Sequence, residues 1–109
     1  MSHDDVVEPT RDEINALEVP ALIEFGASWC GYCRAAQPLI ASALYGHPSV
    51  RHIRIEDGKG RQPGRSFRVT LWPTLVFLSH GKEVARLVRP TDSDAIREAL
   101  LLIDGNPRR

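Results

Sequence analysis

Cys30 and Cys33 are the only cysteines of this chain, and they lie where an apolar segment gives way to a helical pattern. On a helix, residues with this spacing have Cα atoms roughly 5 Å apart, and a disulfide requires about 4.4–6.8 Å. The first turn of a helix also offers unpaired N–H groups and positive partial charge to Cys30, which favours its thiolate. Such a pair can pass two electrons by opening and closing a disulfide.

A zinc site is the alternative chemistry for these cysteines, because Cys30-x2-Cys33-x13-His47-x4-His52 fits the spacing of two-Cys two-His zinc fingers. Pro48 ends a helix directly after His47, so the two histidines cannot share one helical face. A zinc finger also has a β-hairpin at its cysteines, where this chain starts a helix. A redox dithiol is therefore the stronger hypothesis, and we expect the histidines to be surface residues.

Length and composition limit the other classes of function. The 109 residues suffice for one core, so we expect a single domain over 1–109, with 1–9 loosely ordered. The 14 Lys and Arg balance the 14 Asp and Glu, so nothing indicates binding to nucleic acid or to a membrane surface. No apolar run could span a bilayer, and the acidic N-terminus lacks a signal-peptide pattern. We expect a cytoplasmic monomer, in a compartment where thiols stay reduced.

The elements that position the cysteines follow from the pattern of apolar residues. A capping box at Thr10 and Glu13 predicts a brief helix over 11–18. The apolar run 21–27 predicts a central buried strand that contains one acid, Glu24. Helical spacing continues from 31 to about 45, with an apolar stripe that includes Ala35 and with a kink expected at Pro38.

The second half of the chain adds strands and a last helix. Alternating apolar residues predict a strand over 50–56, followed by a surface loop over 57–64 and a short helical turn near 63–67. Trp72-Pro73-Thr74 opens a strand over 75–78, which a turn at 80–82 joins to another over 84–88 as a hairpin. The final helix ends at Gly105. This order predicts an α/β architecture around a mixed sheet.

These motifs, taken in order, resemble the thioredoxin family. The resemblance rests on Phe25-Gly26-Ala27-Ser28-Trp29-Cys30-Gly31-Tyr32-Cys33, on Pro38 and on Trp72-Pro73-Thr74, and it covers most of the chain from residue 21. It implies the thioredoxin fold, in which helices flank a central mixed β-sheet. It also implies a thiol–disulfide oxidoreductase that acts on protein disulfides, needs no metal or organic cofactor and receives electrons from a separate, unidentified reductase.

The resemblance also implies roles for individual residues. Cys30 is expected to be the exposed nucleophile and Cys33 the buried resolving thiol. Glu24 occupies the place of the family's buried acid and would exchange a proton with Cys33 through a water; within an apolar strand its pKa should be raised. Pro73 would be the cis-proline that faces the disulfide, and the Trp72 backbone would bind an extended substrate segment.

The expected substrate-binding surface surrounds the two cysteines. It comprises Trp29, whose ring would shield the disulfide, together with Gly31, Tyr32, Trp72, Pro73, Thr74 and Arg89. Three of these depart from thioredoxins themselves, which have proline at Tyr32, a smaller aliphatic residue at Trp72 and glycine at Arg89. Arg89 should narrow or charge the groove and select particular partners.

Two alternative functions remain open from the sequence. Tyr32 changes the dipeptide between the cysteines and so favours a more oxidising disulfide isomerase or oxidase, which the absence of a secretion signal opposes. A binding or co-chaperone module would instead use the groove at Trp72 and Pro73 and the neighbouring basic loop, with the cysteines secondary.

Overall fold

The computed structural model describes residues 8–57 and 65–105. Seven helices and strands lie entirely within these ranges: α1 (Arg11–Asn15), β1 (Ala21–Gly26), α2 (Gly31–Leu44), β2 (Arg51–Glu56), β3 (Thr74–Ser79), β4 (Lys82–Val88) and α3 (Ser93–Ile103). The sheet has the strand order β2-β1-β3-β4, in which β1 runs parallel to β2 and antiparallel to β3. The predicted mixed sheet with flanking helices is confirmed.

Strand β1 lies at the centre of the fold, and all six of its residues are buried. Alternate side chains of β1 enter different cores, as the period of two along a strand requires. Leu22 joins Ile40 of α2 and Leu100 of α3 in one core, whereas Ile23 joins Ile14 of α1 in the other. Glu24 therefore points toward the same side of the sheet as Leu22, which is the side that α2 covers.

The structure corrects two details of the helices. Helix α1 ends at Asn15 with its C-cap at Ala16, short of the expected residue 18. The buried face of α2 contains Ala36 and Ile40, while Ala35 is exposed. Neighbouring helical residues are turned by about 100°, so an alanine one position away from the stripe faces solvent.

Several predictions fall partly outside the described residues. These are the loose order of residues 1–9, most of the loop over 57–64 and the start of the helical turn near 63–67. Residues 65 and 66 are helical, and Phe67 is buried in the core beside α1. Within the described ranges, no helix is both long and apolar enough to cross a membrane.

Candidate active site

The two thiols lie at the junction of β1 and α2. Cys30 is the N-cap of α2, with extended backbone angles, and its sulfur accepts a hydrogen bond from the Cys33 backbone N–H at 3.2 Å. Both cysteines are free thiols. The expectation that Cys30 is exposed is wrong, because it is 8% exposed and Cys33 is 5% exposed. The difference between the two thiols lies in their electrostatic surroundings.

The pKa values of the two cysteines move in opposite directions. Burial by itself raises the pKa of Cys30, but hydrogen bonds from Cys33 and from the Tyr32 backbone, with the charge of Arg89, lower it overall. Burial and the nearby Cys30 and Glu24 raise the pKa of Cys33 to about 11. The pair is therefore a thiolate-forming cysteine beside one that holds its proton.

Gly26, the last residue of β1, lets Cys33 pack against the sheet. A Cβ atom at this position would lie 2.7 Å from the Cys33 sulfur. The absence of a side chain therefore sets how closely the first turn of α2 can approach the end of the strand. This contact fixes Cys33 on the inner side of the helix.

Glu24 is buried, as predicted, but it is not isolated. It is 3% exposed, and it faces Nε2 of His52 at 2.9 Å and Nε of Arg54 at 3.7 Å. Gln37 donates its side-chain amide to the other carboxylate oxygen. Burial opposes the charged form most strongly, but these partners together outweigh it and lower the pKa of Glu24. The expectation of a raised pKa is therefore wrong.

The partners of Glu24 come from two other elements that the sequence analysis did not connect to it. In the parallel register, Leu22 lies opposite His52 and Glu24 opposite Arg54, so both β2 side chains share the face of Glu24. Gln37 is one helical turn beyond Cys33 and donates a second hydrogen bond to the Cys33 carbonyl at 3.0 Å. The alternation of apolar residues in β2 could have predicted that His52 and Arg54 share one face of the strand.

An open cleft leads from solvent to this network. It has a volume of about 610 Å³, and Glu24, Cys33, His52 and Arg54 are among its lining residues. The side chain of His52 is 27% exposed and so links the buried carboxylate to the surface. Glu24 and Cys33 therefore border the same cleft.

Trp72, Pro73 and Thr74 form the other wall of the site. The Trp72–Pro73 peptide bond is cis, as predicted. Trp72 donates its indole N–H to Asp57 at 2.8 Å, and its ring meets that of Trp29 edge-on with centroids 5.2 Å apart. Thr74 is 1% exposed and donates its hydroxyl to the Leu71 carbonyl at 2.6 Å, so the expectation that it meets a substrate is wrong. These contacts fix the Trp72 backbone beside the cluster of Ala27, Cys30 and Cys33.

The residues expected to meet a substrate differ in their exposure. Trp29 is 69% exposed, and its ring lies against Trp72 at the rim of the site. Gly31 and Tyr32 are also exposed, in the first turn of α2. Arg89 follows β4 with a φ of 52°, and its guanidinium carbon lies 3.9 Å from the centroid of the Tyr32 ring. The structure thus brings Arg89 and Tyr32 together beside Cys30.

Comparison with known proteins identifies this arrangement. A family model described as Thioredoxin matches residues 6–101. The chain belongs to the thioredoxin family. The solved structure of reduced thioredoxin 2 from Pseudomonas aeruginosa PAO1 superposes with a TM-score of 0.81 at 51% identity, covering 92% of this chain and 94% of that one.

Curated relatives agree with this assignment. The thioredoxin of Chlamydia trachomatis serovar D is 32% identical over 75 residues, which are 69% of this chain and 74% of the relative. Thioredoxin H-type 1 of Nicotiana tabacum is 34% identical over 67 residues, which are 62% of this chain and 53% of the relative. As a member of the thioredoxin family, the chain is a protein-disulfide oxidoreductase.

Two histidines of this thioredoxin-family chain, His47 and His52, contact carboxylates within the fold. Nδ1 of His47 lies 2.9 Å from Asp104 Oδ2, with both side chains buried, so His47 ties the end of α2 to the end of α3. His47 and His52 were expected on the surface, and for His47 that expectation is wrong. Within residues 8–57 and 65–105, no three metal-binding side chains form a group that could hold an ion.

Proposed function

We propose that this protein reduces disulfide bonds in protein substrates, with Cys30 as the attacking thiolate and Cys33 as the resolving thiol. The observation that supports this proposal is the opposite displacement of the two pKa values, lowered at Cys30 and raised to about 11 at Cys33. A thiolate is the nucleophile in disulfide exchange, so the first attack falls to Cys30.

The proposed reaction has two exchange steps. The Cys30 thiolate attacks one sulfur of the substrate disulfide, forms a mixed disulfide and releases the other substrate sulfur as a thiolate that takes up a proton. Cys33 then loses its proton and attacks the Cys30 sulfur, which closes the Cys30–Cys33 disulfide and releases the second substrate thiol. The substrate gains two electrons and two protons, and the protein dithiol is oxidised.

Glu24 is the proposed acceptor of the Cys33 proton. The Cys30 thiolate contributes to the raised pKa of Cys33, and formation of the mixed disulfide removes that charge. The pKa of Cys33 then falls at the step that needs its thiolate. Glu24, held ionised by His52 and Gln37, is a base near the thiol, and the shared cleft offers a water path between them.

The proposed cofactor requirement, electron donor, oligomeric state and substrate contacts follow the expectations from the sequence. The dithiol is the redox group, so the reaction needs no metal or organic cofactor. A separate reductase returns the disulfide to the dithiol, and the protein acts as a cytoplasmic monomer. Trp29, Gly31 and Tyr32 on one side, with Trp72 and Pro73 on the other, would contact the substrate.

A second candidate, a more oxidising isomerase or oxidase, is favoured by the Tyr32 backbone. Its N–H contributes a hydrogen bond that lowers the pKa of Cys30 and so stabilises the reduced form. A more stable reduced form makes a stronger oxidant. The two candidates share the same site and differ in reduction potential.

Reduction of insulin disulfides tests the proposal. Wild type should accelerate the reaction in the presence of a dithiol donor, whereas Cys30→Ser should abolish the acceleration. Cys33→Ser should accumulate mixed disulfides, because attack by Cys30 remains while resolution is lost. Equal trapping by Cys30→Ser would show that the assignment of the two roles is wrong. A wild-type protein that binds insulin without reducing it would favour the binding-module alternative.

A further inference from the structure

Arg89 is held beside the site by three contacts. Its backbone N–H donates to the Pro73 carbonyl at 3.0 Å, and its Nε donates to the Trp72 carbonyl at 2.8 Å. Its guanidinium stacks over the ring of Tyr32 at 3.9 Å. These contacts attach the cation to both walls of the site, the first turn of α2 and the cis-proline segment.

The contacts leave part of the guanidinium available. Nε donates to the Trp72 carbonyl, and one face of the guanidinium lies against the Tyr32 ring. The two Nη groups make no hydrogen bond with the described residues. Within those residues Arg89 also has no carboxylate partner, because Asp57 accepts from Trp72 and Glu24 faces β2. An arginine presents paired N–H groups in a planar arrangement that matches a carboxylate.

The Trp72 carbonyl connects this cation to the proposed substrate groove. A carbonyl oxygen has two lone pairs, so it can accept from Arg89 and from a substrate backbone N–H together. A substrate strand that pairs with Trp72 would therefore pass directly beside the guanidinium. The charge of Arg89 also acts on Cys30, which places it within electrostatic reach of the attacked disulfide.

We propose that Arg89 makes this oxidoreductase selective for disulfides whose attacked cysteine is flanked by an acidic side chain. The carboxylate would bind the two Nη groups while Nε stays on Trp72 and Tyr32 supports the face of the guanidinium. This inference rests on the proposed reductase function and names its substrate class. Arg89 acts here by recognition and takes no part in the bond exchange.

Matched peptides test the selectivity. Each substrate is a symmetrical disulfide dimer of a short capped peptide, and the peptides differ only in the residue beside cysteine, which is Glu, Gln or Lys. Because the two halves are identical, attack on either sulfur is the same reaction. Wild type should show a kcat/KM for the Glu peptide about three- to tenfold above that for the Gln peptide, with the Lys peptide slowest. High salt should reduce this preference.

Variants separate recognition from thiol reactivity. Glutamine in Arg89→Gln would adopt the same strained backbone conformation as the arginine, and this variant should have equal kcat/KM values for the Glu and Gln peptides. Arg89→Lys keeps the charge and should retain part of the preference for the Glu peptide. Arg97→Gln removes an equal charge from α3, where Arg97 binds Asp94 and Ser42, and should retain the wild-type ratio. The ratio of the two peptides cancels any change in the Cys30 thiolate.

Two outcomes would contradict the inference in different ways. Equal rates for the Glu and Gln peptides in wild type, or the same ratio in wild type and Arg89→Gln, overturn the selectivity while the reductase function stands. Failure of wild type to reduce insulin or any peptide overturns the proposed function, and the selectivity with it. Equal rates in wild type overturn the selectivity even where a variant fails to fold.

Discussion

Replacing Tyr32 with proline tests how the first turn of α2 sets the reduction potential. The Tyr32 backbone N–H contributes a hydrogen bond that lowers the pKa of Cys30. Proline has no N–H, so Tyr32→Pro loses this bond, while the bond from Cys33 N–H at 3.2 Å remains. Proline is tolerated in the first turn of a helix, and the preceding Gly31 accepts the restriction that it imposes.

The size of the effect follows from the charge on the acceptor. A hydrogen bond to a charged group contributes roughly 1.5–3 kcal/mol, which corresponds to roughly 1–2 pKa units at Cys30. The neutral sulfur of the disulfide gains much less from the same donor. The reduced form is therefore the one that Tyr32→Pro destabilises, and the potential should fall by up to about 30–60 mV. The variant should be a better reductant than wild type.

Equilibration against glutathione measures the potential, and thiolate absorbance across pH measures the Cys30 pKa. Tyr32→Ala is the matched control, because it keeps the N–H and removes the ring that lies under Arg89. We expect its potential to stay close to that of wild type. A potential that stays or rises in Tyr32→Pro would refute the role of the amide. An equal fall in Tyr32→Ala would assign the effect to the contact between the ring and Arg89.

Other predictions concern the thiols, the carboxylate and the packing beside them. Iodoacetamide should alkylate Cys30 before Cys33, with a pH midpoint below the free-thiol value of about 8.5; faster labelling of Cys33 would reverse the assignment. Glu24→Gln should slow insulin reduction, and it should lower the free energy of unfolding in urea at neutral pH. Because folding lowers the pKa of Glu24, its stabilisation is present above the unfolded pKa and is lost as pH falls through the folded pKa, so the difference should shrink in acid. A difference that is constant with pH would contradict this account. Gly26→Ala places a Cβ 2.7 Å from the Cys33 sulfur and should cost about 1–3 kcal/mol, measured by thermal unfolding; an unchanged Tm would show that α2 shifts freely.

The fold was predictable from the sequence because its signals are local. The uninterrupted apolar run of β1 predicts a strand buried on both faces, and the strand has that burial. The hairpin turn follows from Gly81, which has a φ of 77°, and a Cβ there would lie 2.1 Å from the Asn15 carbonyl oxygen. The ends of the helices were harder to predict. Helix α1 ends at Asn15, three residues before the expected end at residue 18, with its C-cap at Ala16.

The surroundings of Glu24 were not predictable to the same degree. An acid within an apolar strand indicates burial, but its pKa depends on partners that other elements supply. His52 and Arg54 reach Glu24 only through the parallel register of β1 and β2, and Gln37 reaches it only through the packing of α2 on the sheet. Desolvation alone predicts a raised pKa, and the contacts made in the folded protein reverse the sign.

Contacts made in the folded protein also distinguish the two neighbouring thiols. Cys30 and Cys33 are exposed to nearly the same small extent, so accessibility does not separate them. Burial raises the pKa of both thiols, but Cys30 receives hydrogen bonds from the helix start and lies near the positive charge of Arg89, whereas Cys33 lies near the negative charges of Cys30 and Glu24. In the proposed reaction, the order of attack therefore follows from the hydrogen bonds and charges around each sulfur and not from accessibility. Substitutions at Arg89 or Glu24 should therefore change the redox behaviour while both cysteines stay in place.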